Sequence, residues 1–146
     1  MTRAIVQITH RQEFSASHRL HNPRLPAEEN RRLFGVCNNP NGHGHNYEIE
    51  VSVRGEVPEE TGMVMDLNRL RELVLEKVVR AVDHRHLNHD VDFLQGTIPT
   101  AENLAIAFWR LLQPSLEDYP GCRLHRIRVR ESRSNFADYL GPSQER

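Results

Sequence analysis

His43 and His45 flank Gly44 in the most regular alternating stretch of the chain. His43, His45, Tyr47, Ile49, Val51 and Val53 share one parity, and Gly44, Asn46, Glu48, Glu50, Ser52 and Arg54 the other. In an extended strand, alternate side chains leave the same face about 7 Å apart, a separation that two imidazoles can close onto one ion. Gly42 and Gly44 beside them leave room for another backbone or a ligand to approach. His18 holds the apolar parity of an earlier extended segment, after Phe14 and Ala16. Pairing of the two segments brings a third imidazole to the cluster. Three histidines without a fourth protein ligand leave an open coordination position, the catalytic rather than the structural zinc pattern. Partly buried, hydrogen-bonded core histidines fit the same spacing without an ion. The chain has two His-x-His matches where its histidine content predicts about half a match by chance, so context carries the argument.

Three further groups invite chemistry. His84, His86 and His89, with Asp83, Asp90 and Asp92, form a denser cluster, although polar and cationic groups at a helix C-terminus need no metal to explain them. Cys37 lies among Asn38, Asn39 and Asn41 in a polar loop, an exposed kind of setting. A thiol near a cation or histidine can have its pKa lowered enough to act as base or nucleophile. His84 beside Asp83 is the candidate partner, provided a non-helical turn lets adjacent side chains meet. Cys122 reads as inert packing. Glu131 continues the apolar parity of Ile127 and Val129, so it is either at a frayed strand end or buried with a partner, since an unpaired buried carboxylate is costly. Two parallel N–H groups on a planar heterocycle would satisfy both oxygens.

The elements that must position these groups follow from periodicity. Even positions from Val6 to His18 predict a long first strand ending near His21, with a bulge or bend near its middle. Residues 22–42, rich in Pro and Gly, read as a long functional loop. Asp66 is a helix cap candidate, and Leu67, Leu70, Val74, Val78 and Ala81 recur at helical spacing up to about Val82. Thr100 caps a second helix, with Glu102 in its first turn, a stripe of Leu104, Phe108, Leu111 and Leu112, and a stop before Pro114. His125, Ile127, Val129 and Glu131 then alternate with Arg126, Arg128 and Arg130, and a short strand follows near residues 136–140. Two strands, two helices and two strands, with loops that permit antiparallel pairing, predict an α+β domain spanning 1–146, its helices over one sheet face.

Composition removes other classes. A net charge of −1 supplies no basic field for nucleic acid. The longest apolar run, Leu104 to Trp109, is six residues against the ~20 of a membrane helix, and no secretory segment follows Met1. Two cysteines make no disulfide framework, and a soluble cytoplasmic setting is expected.

Phe14-Ser15-Ala16-Ser17-His18-Arg19-Leu20 and the run from Cys37 through His43-Gly44-His45 to Tyr47 closely resemble the 6-pyruvoyl-tetrahydropterin synthase and 6-carboxytetrahydropterin synthase family. Gly62 to Leu67, Asp83 to Asn88, Pro99 to Asn103 and Glu131 match in the same order, so the resemblance covers nearly the whole chain. It implies the tunnelling fold (T-fold): a four-stranded antiparallel sheet with two helices on one face, element order ββααββ, built through trimers into a homo-hexamer with sites at subunit interfaces. It implies Zn2+ on His18, His43 and His45; proton transfer by Cys37, Asp83 and His84, with the thiol able to come from another chain; a pterin ring anchored by Glu131; and further ring contacts from Thr100 and Glu102. Ser132 replaces the family's usual Thr after the anchoring Glu, and Val82 the usual Leu before Asp83.

The family chemistry is conversion of 7,8-dihydroneopterin triphosphate to 6-pyruvoyl-tetrahydropterin with elimination of triphosphate, a lyase step toward tetrahydrobiopterin. A second reading keeps fold and metal but makes the 6-carboxy product, on the deazapurine route to queuosine. The offset of six from Cys37 to His43 looks more like the pyruvoyl type. A third, non-catalytic reading uses zinc only to staple strands, and it predicts a fourth protein ligand that the sequence does not obviously offer.

Overall fold

Two 14-residue strands, β1 (Ile5–His18) and β2 (His43–Glu56), form the spine of the molecule. The computed structural model describes residues 4–142. β1 and β2 pair antiparallel in one unbroken register from Ile5 opposite Glu56 to His18 opposite His43. The expected bulge in β1 is therefore absent, and the strand stops at His18 rather than near His21. The irregularity lies instead between β2 and β4 (Cys122–Arg130), where the register shifts at Ser52/Val53. An extra residue there, His125, breaks the alternation, so Leu124 rather than His125 shares the buried side with Ile127 and Val129.

The segment expected as loop at 22–42 folds in part. It holds α1 (Ala27–Phe34) and a 3-10 turn over Gly35–Asn38. Asn30 of α1 is fully buried, and its amide donates to the carbonyls of Asn22, Leu25 and Pro26 while its oxygen accepts from the Asn22 N–H. Helix α2 (Leu67–Val74) starts at Asp66, whose carboxylate accepts from the Asn68 N–H, and runs through a π turn at Leu75–Val79 into α3 (Arg80–Val82). Helix α4 (Ala101–Leu116) is capped by Thr100, whose hydroxyl accepts from the Asn103 N–H. It passes through Pro114 instead of stopping before it. Pro114 is exposed while Leu112 and Leu116 are buried, so the missing N–H lies on the wet side and packing holds the last turn.

The sheet runs β3-β1-β2-β4-β5. Its four longer strands are antiparallel, ending in β5 (Phe136–Tyr139). The two-residue β3 (Arg85–His86) adds a short parallel pairing beyond the expected four strands. Ile49, Val51, Ile127 and Val129 from the sheet and Leu70, Val78, Leu104 and Phe108 from the helices are all buried in one core. Each such side chain contributes about 1.5–3 kcal/mol on leaving water. That core fixes the sheet face on which the histidines stand. Among the described residues, no helix is long and apolar enough to cross a membrane.

Candidate metal centre and active site

The β1–β2 register places His18 directly opposite His43 and Ala16 opposite His45, so strand pairing alone delivers three imidazoles to one face. Their ring centroids lie 4.7, 5.1 and 4.8 Å apart for the pairs 18/43, 18/45 and 43/45. His18 is completely buried and the other two partly so. Below them, Phe14 stacks on Tyr47 at 4.9 Å with the rings 7° from parallel, a cross-strand pair that floors the site.

His18 is oriented from behind. Its Nδ1 lies 2.8 Å from the carbonyl of buried Pro99 and 3.2 Å from the Tyr47 hydroxyl. A carbonyl only accepts, so Nδ1–H is the donor and Nε2 carries the lone pair. Thr100 and Asn103 fix the peptide that precedes Pro99: the Thr100 N–H and the Asn103 amide both donate to Ile98 O. Neither Pro99 nor Tyr47 was a candidate from sequence. Tyr47 shared the parity of His43 and His45, which was the available signal; a main-chain carbonyl leaves none.

Around His18 Nε2 stand His43 Nε2 at 3.1 Å and Glu131 Oε1 at 3.3 Å, and the same oxygen is 3.0 Å from His45 Nε2. His45 Nε2 is buried yet not aligned for a hydrogen bond with that carboxylate, and among the described residues it is satisfied by no other partner. A lone pair facing a carboxylate is repulsive unless a cation lies between them. Four ligands on zinc at about 2.0–2.1 Å would stand about 3.3 Å apart, close to the separations found here. The four donor atoms lie within 4.8 Å of one another, and the donor set fits a divalent ion. Burial, then His18, lowers the pKa of His43, and burial lowers that of His45. Both rings are thereby kept neutral and ready to ligate. The His18 contact holds Glu131 below the usual carboxylate range, and burial pushes the Tyr47 phenol up. Glu131 directly follows β4, and its Oε1 closes the fourth side of the cluster.

Asp83 and His84 meet through an unusual backbone. Asp83 is extended, and His84 has φ of +60°, a left-handed conformation that the surroundings must hold in place. Two bonds to Ser15 do so: the Ser15 N–H donates to Asp83 Oδ1 at 2.9 Å, and the His84 N–H to Ser15 O at 2.6 Å. Asp83 Oδ2 then sits 3.0 Å from His84 Nδ1. The Ser15 N–H, ahead of His84, holds the Asp83 carboxyl below its ordinary range. The His84 side chain is 82% exposed. Cys37, half-buried in the 3-10 turn, has a free thiol with no hydrogen bond to either among the described residues. Thr100 spends its hydroxyl on the helix cap, and Glu102 is exposed. In the rival cluster, His86 and His89 stack at 4.3 Å and Asp90 accepts the His86 N–H, with no convergence on a common point.

This geometry has close relatives. The family profile described as 6-pyruvoyl tetrahydropterin synthase matches residues 7–142. The chain is similar to the 6-pyruvoyl tetrahydrobiopterin synthase of Dictyostelium discoideum, at 43% identity over 97% of this chain and 99% of the relative. It is similar to that of Homo sapiens, at 43% over 95% of this chain and 94% of the relative. The solved Caenorhabditis elegans 6-pyruvoyl tetrahydropterin synthase superposes with a TM-score of 0.89 at 40% identity, covering 97% of this chain and all of that one.

Proposed function

The chain belongs to the 6-pyruvoyl tetrahydropterin synthase family, and on that premise we propose that it is a lyase converting 7,8-dihydroneopterin triphosphate to 6-pyruvoyl-tetrahydropterin with loss of triphosphate. The observation that carries the reading is 43% identity over 97% of the chain to a relative of that activity, joined to three imidazoles on one sheet face.

His18, His43 and His45 are the proposed zinc ligands, with His18 aimed by Pro99 and Tyr47. Zinc, when bound, would supply Lewis-acid polarisation of the substrate's side-chain oxygens and so ease loss of the neighbouring protons. Glu131, ionised at neutral pH, is proposed to accept the N–H groups of the pterin and hold its side chain toward the ligands; orientation of this kind supplies several kcal/mol. Cys37 takes a proton from the side chain, and His84, held by Asp83, returns one. The redox change is internal to the substrate, so the proposal includes neither nicotinamide nor flavin.

Within one chain, Cys37 has no hydrogen bond to Asp83 or His84 among the described residues, and His84 is largely exposed beside the short β3. This favours a thiol from one copy working with the Asp83–His84 pair of another, as expected of a homo-hexamer with interfacial sites. Thr100 and Glu102 remain proposed ring contacts. Both cysteines are free thiols, in keeping with the proposed cytoplasmic setting.

Incubation with the triphosphate, followed by product identification, tests the reading. The parent protein should release triphosphate and form the 6-pyruvoyl product, and Cys37→Ala should abolish it. Acetaldehyde with a 6-carboxy product would replace this assignment by the carboxy-type enzyme. Equal background in parent and variant would leave a zinc-stapled module.

A further inference from the structure

The chain segment that leaves the His18 ligand is held with unusual care. Asn88 clasps the backbone of Arg19, accepting its N–H and donating to its carbonyl, both at 2.8 Å. Buried Asn38 uses its carbonyl to accept Arg19 Nε at 2.9 Å and its amide to donate to Leu20 O and His21 Nδ1. Both hydrogens of that amide are thus assigned, and His21 Nδ1 must accept. Its remaining ring nitrogen, Nε2, is the donor in the neutral ring. Asn30 closes the segment from the other side through Asn22.

This scaffold presents Arg19, His21 and Arg24, with His89 opposite, to a cavity of about 670 Å³ that also has Asn22 and Asn88 in its wall. No Asp or Glu among the described residues lines it. Among the described residues, neither Arg19 nor Arg24 pairs with a carboxylate. By contrast, the 820 Å³ cavity at the far end of the sheet sets Glu56 among Arg54 and Arg123. Wall residues of the 670 Å³ cavity connect to the metal cluster through the chain. Arg19 follows a ligand, wall residue Ile98 precedes the Pro99 carbonyl that orients His18, and His89 stacks on His86.

A guanidinium held at Arg19 and an exposed one at Arg24, neither with a counter-charge, in a cavity walled by amide and imidazole donors, suit a polyanion. We propose that this cavity binds a condensed phosphate chain. Its source is either the triphosphate of the substrate, which rests on the reading above, or a free oligophosphate. Two guanidiniums supply the permanent charge, His21 an oriented donor, and the clasp of three asparagines removes the ordering cost of the loop.

The test is calorimetric titration of inorganic tripolyphosphate into the purified protein, metal-loaded and metal-free. The parent should bind, and exposed Arg24→Ala should weaken binding about tenfold, as should Arg19→Ala. Arg123→Ala at the other cavity should change nothing. These variants keep the same histidines, so capture of the ion by the probe cannot mimic the difference. Competition between tripolyphosphate and substrate, with a raised KM in Arg24→Ala, assigns the substrate's own chain; tripolyphosphate binding without competition assigns a free oligophosphate. Absence of binding in the parent, or binding in both arginine variants as tight as in the parent, overturns the proposal. Absence of pterin turnover in the parent overturns the lyase reading alone and leaves the titration to stand.

Discussion

Gly42 precedes the first strand ligand and has φ of +73°. A Cβ built there would lie 2.8 Å from the carbonyl oxygen of His18 and 3.1 Å from His86 Nε2. In Gly42→Ala, the left-handed backbone costs about 1–2 kcal/mol, and the forced contact about 1–3 kcal/mol more. Because the nearer atom is main chain in a paired strand, it cannot swing aside, so we expect the sum, about 2–5 kcal/mol. For 146 residues the unfolding entropy is about 0.3 kcal/mol/K. The melting midpoint should therefore fall by about 7–16 °C. The strain also pushes directly on His18, so metal affinity should fall with stability. Gly44→Ala is the control within the same motif: its nearest contact is ordinary, 3.5 Å to Ala16 O, and its φ is not positive. It should melt within about 2 °C of the parent and keep its metal. Calorimetric melting with metal analysis reads both. Equal behaviour of the two alanine variants, or a Gly42→Ala protein with parental midpoint and metal content, would refute the close-approach argument.

His43→Ala should lose metal and turnover together, with affinity down by more than about 100-fold; stoichiometric metal in the purified variant would contradict the ligand assignment. Glu131→Gln should keep its metal and raise KM for the pterin by about 10–100-fold, because only a carboxylate accepts two charge-assisted bonds; unchanged KM would remove Glu131 from the site. Asp83 has a depressed pKa in the folded chain, so its stabilising contribution is complete above the unfolded value, about 3.9, and is lost as pH falls through the lower folded value. Asp83→Asn should accordingly lose less stability than the parent on acidification below about pH 4, read from denaturant midpoints; identical slopes would show that the Ser15 bond does not hold the carboxylate.

The histidines were legible because strand alternation has period two and the β1–β2 register is unbroken, so parity alone places His18, His43 and His45 on one face. The α+β order was legible for the same reason, joined to the helical stripes of 67–82 and 104–112. What parity could not show was a change of parity: the extra residue at His125 turns Leu124 inward, and nothing in residue type announces it. Helix α1 stayed hidden because its buried anchor is Asn30, held by loop carbonyls that hydropathy does not see. The Asp83–His84 contact looked barred to adjacent residues, and the left-handed backbone at His84 permits it.

Glu131 ties these strands of reasoning together. Once Pro99 fixes the His18 proton on Nδ1, the atoms facing the centre are a lone pair, two further ring nitrogens and a carboxylate oxygen. Without a cation, neutral His43 meets the His18 lone pair only with its own proton on Nε2, and His45 Nε2 is left without an aligned partner; burial drives His43 and His45 toward the neutral form. The same burial that disfavours the protonated rings therefore favours exchange of a proton for a divalent ion. If Glu131 were a ligand of equal standing, the site would be closed and structural. The difference shows in metal affinity, since loss of a ligand in Glu131→Gln must weaken metal binding, whereas loss of a ring anchor leaves the affinity of the three imidazoles for the ion unchanged. The open-corner reading stands or falls on that measurement, independently of any rate.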